Sequence, residues 1–116
     1  MLARFGDPNS ASSLAAKEAL QKFISICKER GLPLGIVIFG NSYIDGDSSL
    51  DFLIERVLEL CKQEAITCLD LRSTFAPYQE DRKLWANRAD AHPAPLAHRL
   101  VADRLMDTFA EVWLTR

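Results

Sequence analysis

An apolar run at residues 34–39 constrains the fold of this 116-residue chain more than any other feature. Its sequence, Leu-Gly-Ile-Val-Ile-Phe, has no charged or amide side chain, which is typical of a parallel β-strand buried on both faces. A helix-like segment and a second strand-like segment, residues 66–71, come next along the chain. Strand, helix and strand with short connections form a right-handed βαβ unit, so we expect the two strands to be parallel.

Three segments have the apolar spacing of amphipathic helices. The first runs from about residue 12 to residue 30, where Gly31 supplies a left-handed stop. The second ends near residue 64, and Ser48 offers its N-terminal cap. The third has Pro95 in its first turn and runs nearly to the last residue.

Residues 72–94 have no sustained period, and we expect them to form a long loop at the carboxyl edge of the second strand, where α/β proteins bind ligands. This segment contains Asp90 and His92, two residues apart. A histidine can take the proton from a hydroxyl nucleophile, and an aspartate on its other ring nitrogen fixes the tautomer and stabilises the imidazolium. The spacing therefore indicates the acid and the base of a serine-type hydrolase.

Two strands leave a buried parallel sheet open at both edges. Exposed apolar edges invite pairing with another chain. We therefore expect either a further segment before residue 1 or an oligomer to complete the sheet, so that the chain is the second half of a doubly wound domain.

The net charge and the cysteines indicate which partners and which cellular location to expect. The net charge is -2, without a block of Lys and Arg, which predicts no nucleic-acid or membrane partner. Neither a signal peptide nor an apolar span is visible, so we expect a cytoplasmic protein. Cys27, Cys61 and Cys68 are odd in number and lack metal-ligand spacing, which predicts small core side chains in a reducing compartment.

Residues 14–113 resemble the C-terminal half of the SGNH, or GDSL, family of serine esterases and acyl hydrolases. The resemblance rests on the strand at 32–39, the strand ending in Leu69-Asp70-Leu71, the segment Asp90-Ala91-His92-Pro93 and the pair Ala97-His98. It implies a flavodoxin-like three-layer α/β/α fold with a parallel sheet, incomplete here, in one partial domain spanning residues 1–116. It implies no metal and no organic cofactor.

By the same resemblance, His92 is the catalytic base and Asp90 its orienting acid, and the substrate is a small-molecule ester. The family more often has Asp-x-x-His than the Asp-x-His found here, and Ala94 stands where Asn is common. Its Gly-Asp-Ser nucleophile turn, oxyanion-hole glycine and Gly-x-Asn-Asp block would precede Met1. We therefore expect little or no hydrolysis by this chain alone, and pairing with an N-terminal half or a second copy.

Four alternatives stay open beside this interpretation. Ser42 follows the first strand in a segment that resembles a nucleophile block, so Ser42, Asp90 and His92 can form a minimal triad. Ser48 ends a Gly-Asp-Ser sequence but is more simply a helix cap. Asp90 can merely cap a turn beside an exposed loop histidine, and the chain can be a non-catalytic assembly module whose open sheet edge pairs with a partner.

Other polar residues have simpler expected roles. His98 is expected on the surface of the final helix, and Asp70 is expected to accept hydrogen bonds in the turn after its strand. Residues 80–83 carry mixed charges, which usually means a solvated face.

Overall fold

A computed structural model describes residues 7–40 and 51–114 of the chain. The chain divides into two compact units, Met1–Leu34 and Gly35–Arg116. The first unit contains helix α1, Ala11–Glu29. The second contains β1 (Gly35–Ile38), α2 (Asp51–Gln63), β2 (Thr67–Asp70), the short helix α3 (Arg72–Phe75), β3 (Trp85–Asn87), β4 (Asp90–Pro93) and α4 (Pro95–Leu114). That residues 1–116 form one partial domain stays a prediction.

Helix α1 ends before Gly31 as its sequence predicts, and it begins one residue before the predicted start. Ser10 caps its first turn, because the Ser10 hydroxyl accepts a hydrogen bond from the backbone three residues on, at 3.2 Å. Gly31 follows the helix with a φ of 63° and donates to the carbonyl of Lys28 at 3.1 Å. Leu32 donates to the carbonyl of Cys27 at 2.9 Å, which completes a Schellman stop. The predicted helix over residues 12–30 is confirmed within one residue at each end.

Strands β1 and β2 pair in parallel, as the βαβ pattern predicts. The register runs from Gly35 opposite Thr67 to Ile38 opposite Asp70. One further bond, from the Leu71 N–H to the Ile38 carbonyl at 3.1 Å, extends the pairing beyond the strands. The chain is therefore a mixed α/β protein with a small parallel sheet of two strands.

Successive side chains of β2 point to opposite faces of this sheet, and different helices contact them. Cys68 lies against Cys61 of α2. Leu69 packs instead in a cluster with residues of α4, including Phe109. The buried members of that cluster are Leu69, Leu71, Phe75, Leu84, Ala97, Val101 and Phe109. The cluster ties β2, α3 and α4 into one hydrophobic core.

Strand β1 is less buried than its sequence predicts. Every residue from Gly35 to Ile38 is partly exposed, although the apolar run indicates burial on both faces. Within residues 7–40 and 51–114, β1 pairs with β2 alone, so one of its edges has no neighbouring strand. The expectation of full burial is therefore wrong for this part of the chain.

Residues 72–94 form ordered structure rather than the expected long loop. After α3, two single-turn 3₁₀ helices, Ala76–Tyr78 and Glu80–Arg82, lead to an antiparallel hairpin of β3 and β4. The Oδ1 atom of Asn87 accepts a hydrogen bond from the Ala89 N–H at 2.9 Å, which supports the turn between the two strands. The mixed charges at residues 80–83 are exposed, as predicted. The loop prediction is wrong because strands of three and four residues are too short to show a period.

The remaining elements match their sequence patterns. Helix α4 begins at Pro95 as predicted and buries Ala97, Val101 and Phe109. Cys27 and Cys61 are buried and Cys68 is partly buried, and all three are free thiols. In the part of the chain that the structure describes, no helix combines the length and the apolar content that a bilayer crossing needs.

Candidate acid–base site

The two residues of the predicted acid–base pair lie on one short strand, β4. Residues two apart on a strand point to the same face, so the Asp-x-His spacing places both side chains together. The Nδ1 atom of His92 is hydrogen-bonded to Oδ1 of Asp90. The backbone N–H of His92 donates to the same carboxylate oxygen at 3.0 Å. The structure therefore brings Asp90 and His92 into the contact that the sequence predicts.

The contact fixes where the imidazole carries its proton. An ionised carboxylate can only accept hydrogen bonds, so Nδ1 of His92 must be the donor. In the neutral ring the other nitrogen, Nε2, then has a free lone pair. This is the tautomer in which a histidine can accept a proton from a hydroxyl group.

The charge of Asp90 and the exposure of His92 are also compatible with His92 acting as a proton acceptor. The backbone hydrogen bond and then the side-chain hydrogen bond of His92 lower the pKa of Asp90, so its carboxylate is ionised at neutral pH and can stabilise an imidazolium. The His92 side chain is 87% exposed and that of Asp90 is 44% exposed. The site is therefore a surface pair whose ring is open to a nucleophile from outside β4.

The simpler interpretation of Asp90 as a turn cap also describes part of this geometry. Asp90 does accept the backbone N–H two residues on, as an aspartate in a turn would. His92 is exposed, as this interpretation expects, although it lies in β4 of the hairpin rather than in a loop. The same carboxylate oxygen thus holds both the backbone and the ring of His92.

The structure leaves the predicted nucleophile untested. Ser42 and Ser48 both lie outside the described residues, so the triad of Ser42, Asp90 and His92 stays a prediction. His98 is exposed on α4, as expected.

A second polar cluster, which the sequence analysis missed, joins α2 to the end of β2. The Arg72 guanidinium donates to Asp70 through Nε at 3.0 Å and through Nη2 at 2.7 Å. The same Nη2 donates to Glu55 of α2 at 2.7 Å, and Nη1 lies 3.6 Å from a carboxylate oxygen of Asp51. Asp70 also accepts the Arg72 backbone N–H at 3.1 Å, so its predicted role as a turn acceptor is confirmed.

The charges of this cluster support one another. Burial raises the pKa of Asp70, but the side-chain and backbone hydrogen bonds from Arg72 outweigh it, and the pKa is lowered on balance. The hydrogen bonds to Asp70 and Glu55 raise the pKa of Arg72. Asp51 and Glu55 are one helical turn apart, and this spacing was the available sequence signal. These ion pairs link α2 to the end of β2.

Within residues 7–40 and 51–114, no group of three or more His, Cys, Asp and Glu side chains is arranged to hold a metal ion. Comparison with models of known families, with curated proteins and with solved structures gave no match to this chain.

Proposed function

We propose that this chain carries the acid–base half of an SGNH-type serine ester hydrolase, with His92 as the base and Asp90 as the residue that orients it. The observation that supports this most strongly is the hydrogen bond from His92 Nδ1 to Asp90, which leaves Nε2 as the proton acceptor of an exposed ring. A serine hydroxyl needs this arrangement in order to become a nucleophile.

We also propose that the chain is part of a flavodoxin-like three-layer domain. A flavodoxin-like three-layer domain places helices on both faces of a parallel sheet. The parallel pairing of β1 and β2 supports this, as do the contacts of Cys68 with α2 and of Leu69 with the cluster that includes α4. The free thiols of the three cysteines support a cytoplasmic location.

The proposed reaction follows from the open Nε2. His92 takes the proton from a serine hydroxyl as the serine oxygen attacks the carbonyl carbon of a small ester. The imidazolium, stabilised by Asp90, gives this proton to the leaving alkoxide, and an acyl–serine remains. Water then attacks the acyl carbon, His92 accepts a proton from that water, and the proton returns to the serine oxygen as the carboxylic acid leaves.

The source of the serine is the second part of the proposal. From the family resemblance we propose that it belongs to a Gly-Asp-Ser turn in an N-terminal half, which would also complete the sheet. Ser42 is the alternative source within this sequence.

The decisive experiment is to determine the coding sequence before the first codon and to express the whole product. We expect Gly-Asp-Ser followed by Gly-x-Asn-Asp, and hydrolysis of p-nitrophenyl acetate by the product. His92→Gln and Asp90→Asn should each lower kcat by roughly 10³- to 10⁴-fold. The matched control His98→Gln changes an exposed histidine of α4 and should leave kcat unchanged. Absence of both blocks, or full activity in His92→Gln, would refute the proposal.

The 116-residue chain alone distinguishes the two sources of the serine. We expect no turnover of the ester and no labelling of Ser42 by a fluorophosphonate, because one oxyanion donor of the missing blocks can be worth about 10²- to 10³-fold in rate. Turnover by this chain that is lost in both Ser42→Ala and His92→Gln would instead establish the minimal triad.

The exposure of β1 favours a second candidate function, a non-catalytic assembly module. All four residues of β1 are partly exposed, and the neighbouring Phe39 is 37% exposed, which suits pairing with a strand of another chain or of a second copy. Light scattering after size exclusion tests this: a dimer that dissociates on dilution supports it, and a monomer at high concentration contradicts self-association.

A further inference from the structure

Two cysteine side chains meet where α2 turns into β2. Cys61 lies in the last turn of α2 and Cys68 lies in β2, and their Sγ atoms are 2.7 Å apart. A disulfide bond is about 2.05 Å long, so the two sulfurs are within about 0.7 Å of bonding distance. Both are free thiols in this structure.

The backbone between the two cysteines holds them in this position. The N–H of Ile66 donates to the carbonyl of Cys61 at 2.8 Å, and the N–H of Ala65 donates to the carbonyl of Lys62 at 3.3 Å. These are the two bonds of a Schellman motif, with Ala65 in the left-handed conformation at a φ of 56°. The turn therefore brings Cys68 back over the residue at which the motif begins.

We propose that Cys61 and Cys68 are a reversible redox-modification site, which a peroxide oxidises to an intramolecular disulfide. Cys68 is partly exposed and Cys61 is buried, so Cys68 meets the oxidant first. Its sulfur attacks hydrogen peroxide and becomes a sulfenic acid, with release of one water. Cys61 then attacks this sulfur, a second water leaves, and the S–S bond forms. Each sulfur loses one electron, and the two peroxide oxygens gain both.

The surroundings of Cys68 determine how fast this reaction proceeds. Burial, then the hydrogen bond with Cys61, then the charges of Cys61 and Asp70 raise the pKa of Cys68 to about 12. Its partner across the sheet on β1 is the apolar Ile36. Since the thiolate is the reactive form, oxidation is slow at pH 7, and between pH 7 and pH 9 it accelerates roughly tenfold for each pH unit.

Peptide mapping of the full chain tests the proposal. The reduced protein is treated with hydrogen peroxide, remaining thiols are blocked with N-ethylmaleimide, and the digest is analysed by mass spectrometry. We expect a linked Cys61–Cys68 peptide that dithiothreitol separates again. Cys27→Ser, the matched control, should form the same link at the same rate. In Cys61→Ser the link should be lost, and dimedone should trap a sulfenic acid on Cys68.

Several outcomes would overturn this inference. They are a link to Cys27, disulfides between copies of the chain, irreversible oxidation of Cys68 without a link, or no reaction of Cys68 between pH 7 and 9. Because the wild-type map alone decides between these results, the test does not depend on the folding of either variant.

Discussion

Gly35, the first residue of β1, lies directly against the ring of Phe109 on α4. A Cβ atom added at Gly35 would stand 2.9 Å from both Cδ1 and Cζ of Phe109, and closer still to Cε1. Carbon atoms pack best at about 3.5–4.0 Å, so the methyl group of Gly35→Ala needs about 0.6–1.1 Å of extra room from Cδ1 and Cζ, and more from Cε1. The Phe109 ring is buried within the core cluster, so α4 must shift or the ring must leave its rotamer.

We therefore expect Gly35→Ala to lower the free energy of unfolding by about 1–3 kcal/mol, as overpacked cores do. For a domain of this size each kcal/mol lowers Tm by roughly 4–8 °C. Urea unfolding followed by tryptophan fluorescence measures the change. Both tryptophans, Trp85 and Trp113, belong to the same unit as Gly35, and the Trp113 ring stacks on Phe109 with centroids 4.8 Å apart.

A double-mutant cycle assigns this cost to the ring. Phe109→Leu removes the two outermost ring positions that the new methyl would meet, so Gly35→Ala should cost less than about 0.5 kcal/mol in that background. The same cost in both backgrounds, or no cost in the wild type, would refute the packing of α4 against β1.

The other predictions concern the helix stop and the charged cluster. Ala65→Gly should raise the free energy of unfolding by about 0.5–1 kcal/mol, because its left-handed backbone disfavours a Cβ atom. Gly31→Ala should lower the free energy of unfolding by about 1 kcal/mol. No described atom lies within 4 Å of the added Cβ, so the cost comes from backbone strain alone. If urea unfolding showed that both substitutions stabilise the protein, or that both destabilise it, the left-handed conformation of these residues would be contradicted. Asp70→Asn should flatten the acid limb of a pH titration of stability. Since the folded pKa of Asp70 is lowered, its contribution is complete above the unfolded pKa near 3.9 and is lost as pH falls through the folded pKa, so an unchanged acid limb in the variant would contradict the role of Arg72.

The main elements were predictable because their signals are local. Apolar spacing and the punctuation by Gly31 and Pro95 placed the helices within a few residues of their observed bounds. The apolar run and the short connections predicted the parallel pairing of β1 and β2. These features depend on residues close in sequence, where period and turn chemistry are informative.

The hairpin could not be predicted in the same way. The end of α2 near residue 64 was predicted and lies at Gln63, but the left-handed residue that follows it was not. Strand β4 contains Pro93, which lacks the N–H for ladder bonding and argues against a strand. The turn residue Asn87 was the one positive signal for the hairpin. At the end of α2, Ala65 takes the left-handed position usually given to Gly.

The polar contacts show the same difference between local features, which were predictable, and distant ones, which were not. Asp90 and His92 were predictable because their contact spans only two residues of one strand. The bond from Arg72 to Glu55 crosses 17 residues and the two sulfurs of Cys61 and Cys68 meet across seven. Both contacts depend on how α2 packs against β2. Local sequence patterns do not specify this packing.

The tautomer of His92 is the most direct test of the acid–base pair. Long-range ¹H–¹⁵N spectra, recorded at a pH where both histidines of the chain are neutral, distinguish a protonated Nδ1 from a protonated Nε2. His98→Gln assigns the signals, and the exposed His98 is the internal reference. We expect His92 to carry its proton on Nδ1, and Asp90→Asn to abolish that preference. A proton on Nε2 of His92, or the same spectrum in Asp90→Asn, would contradict the proposed base.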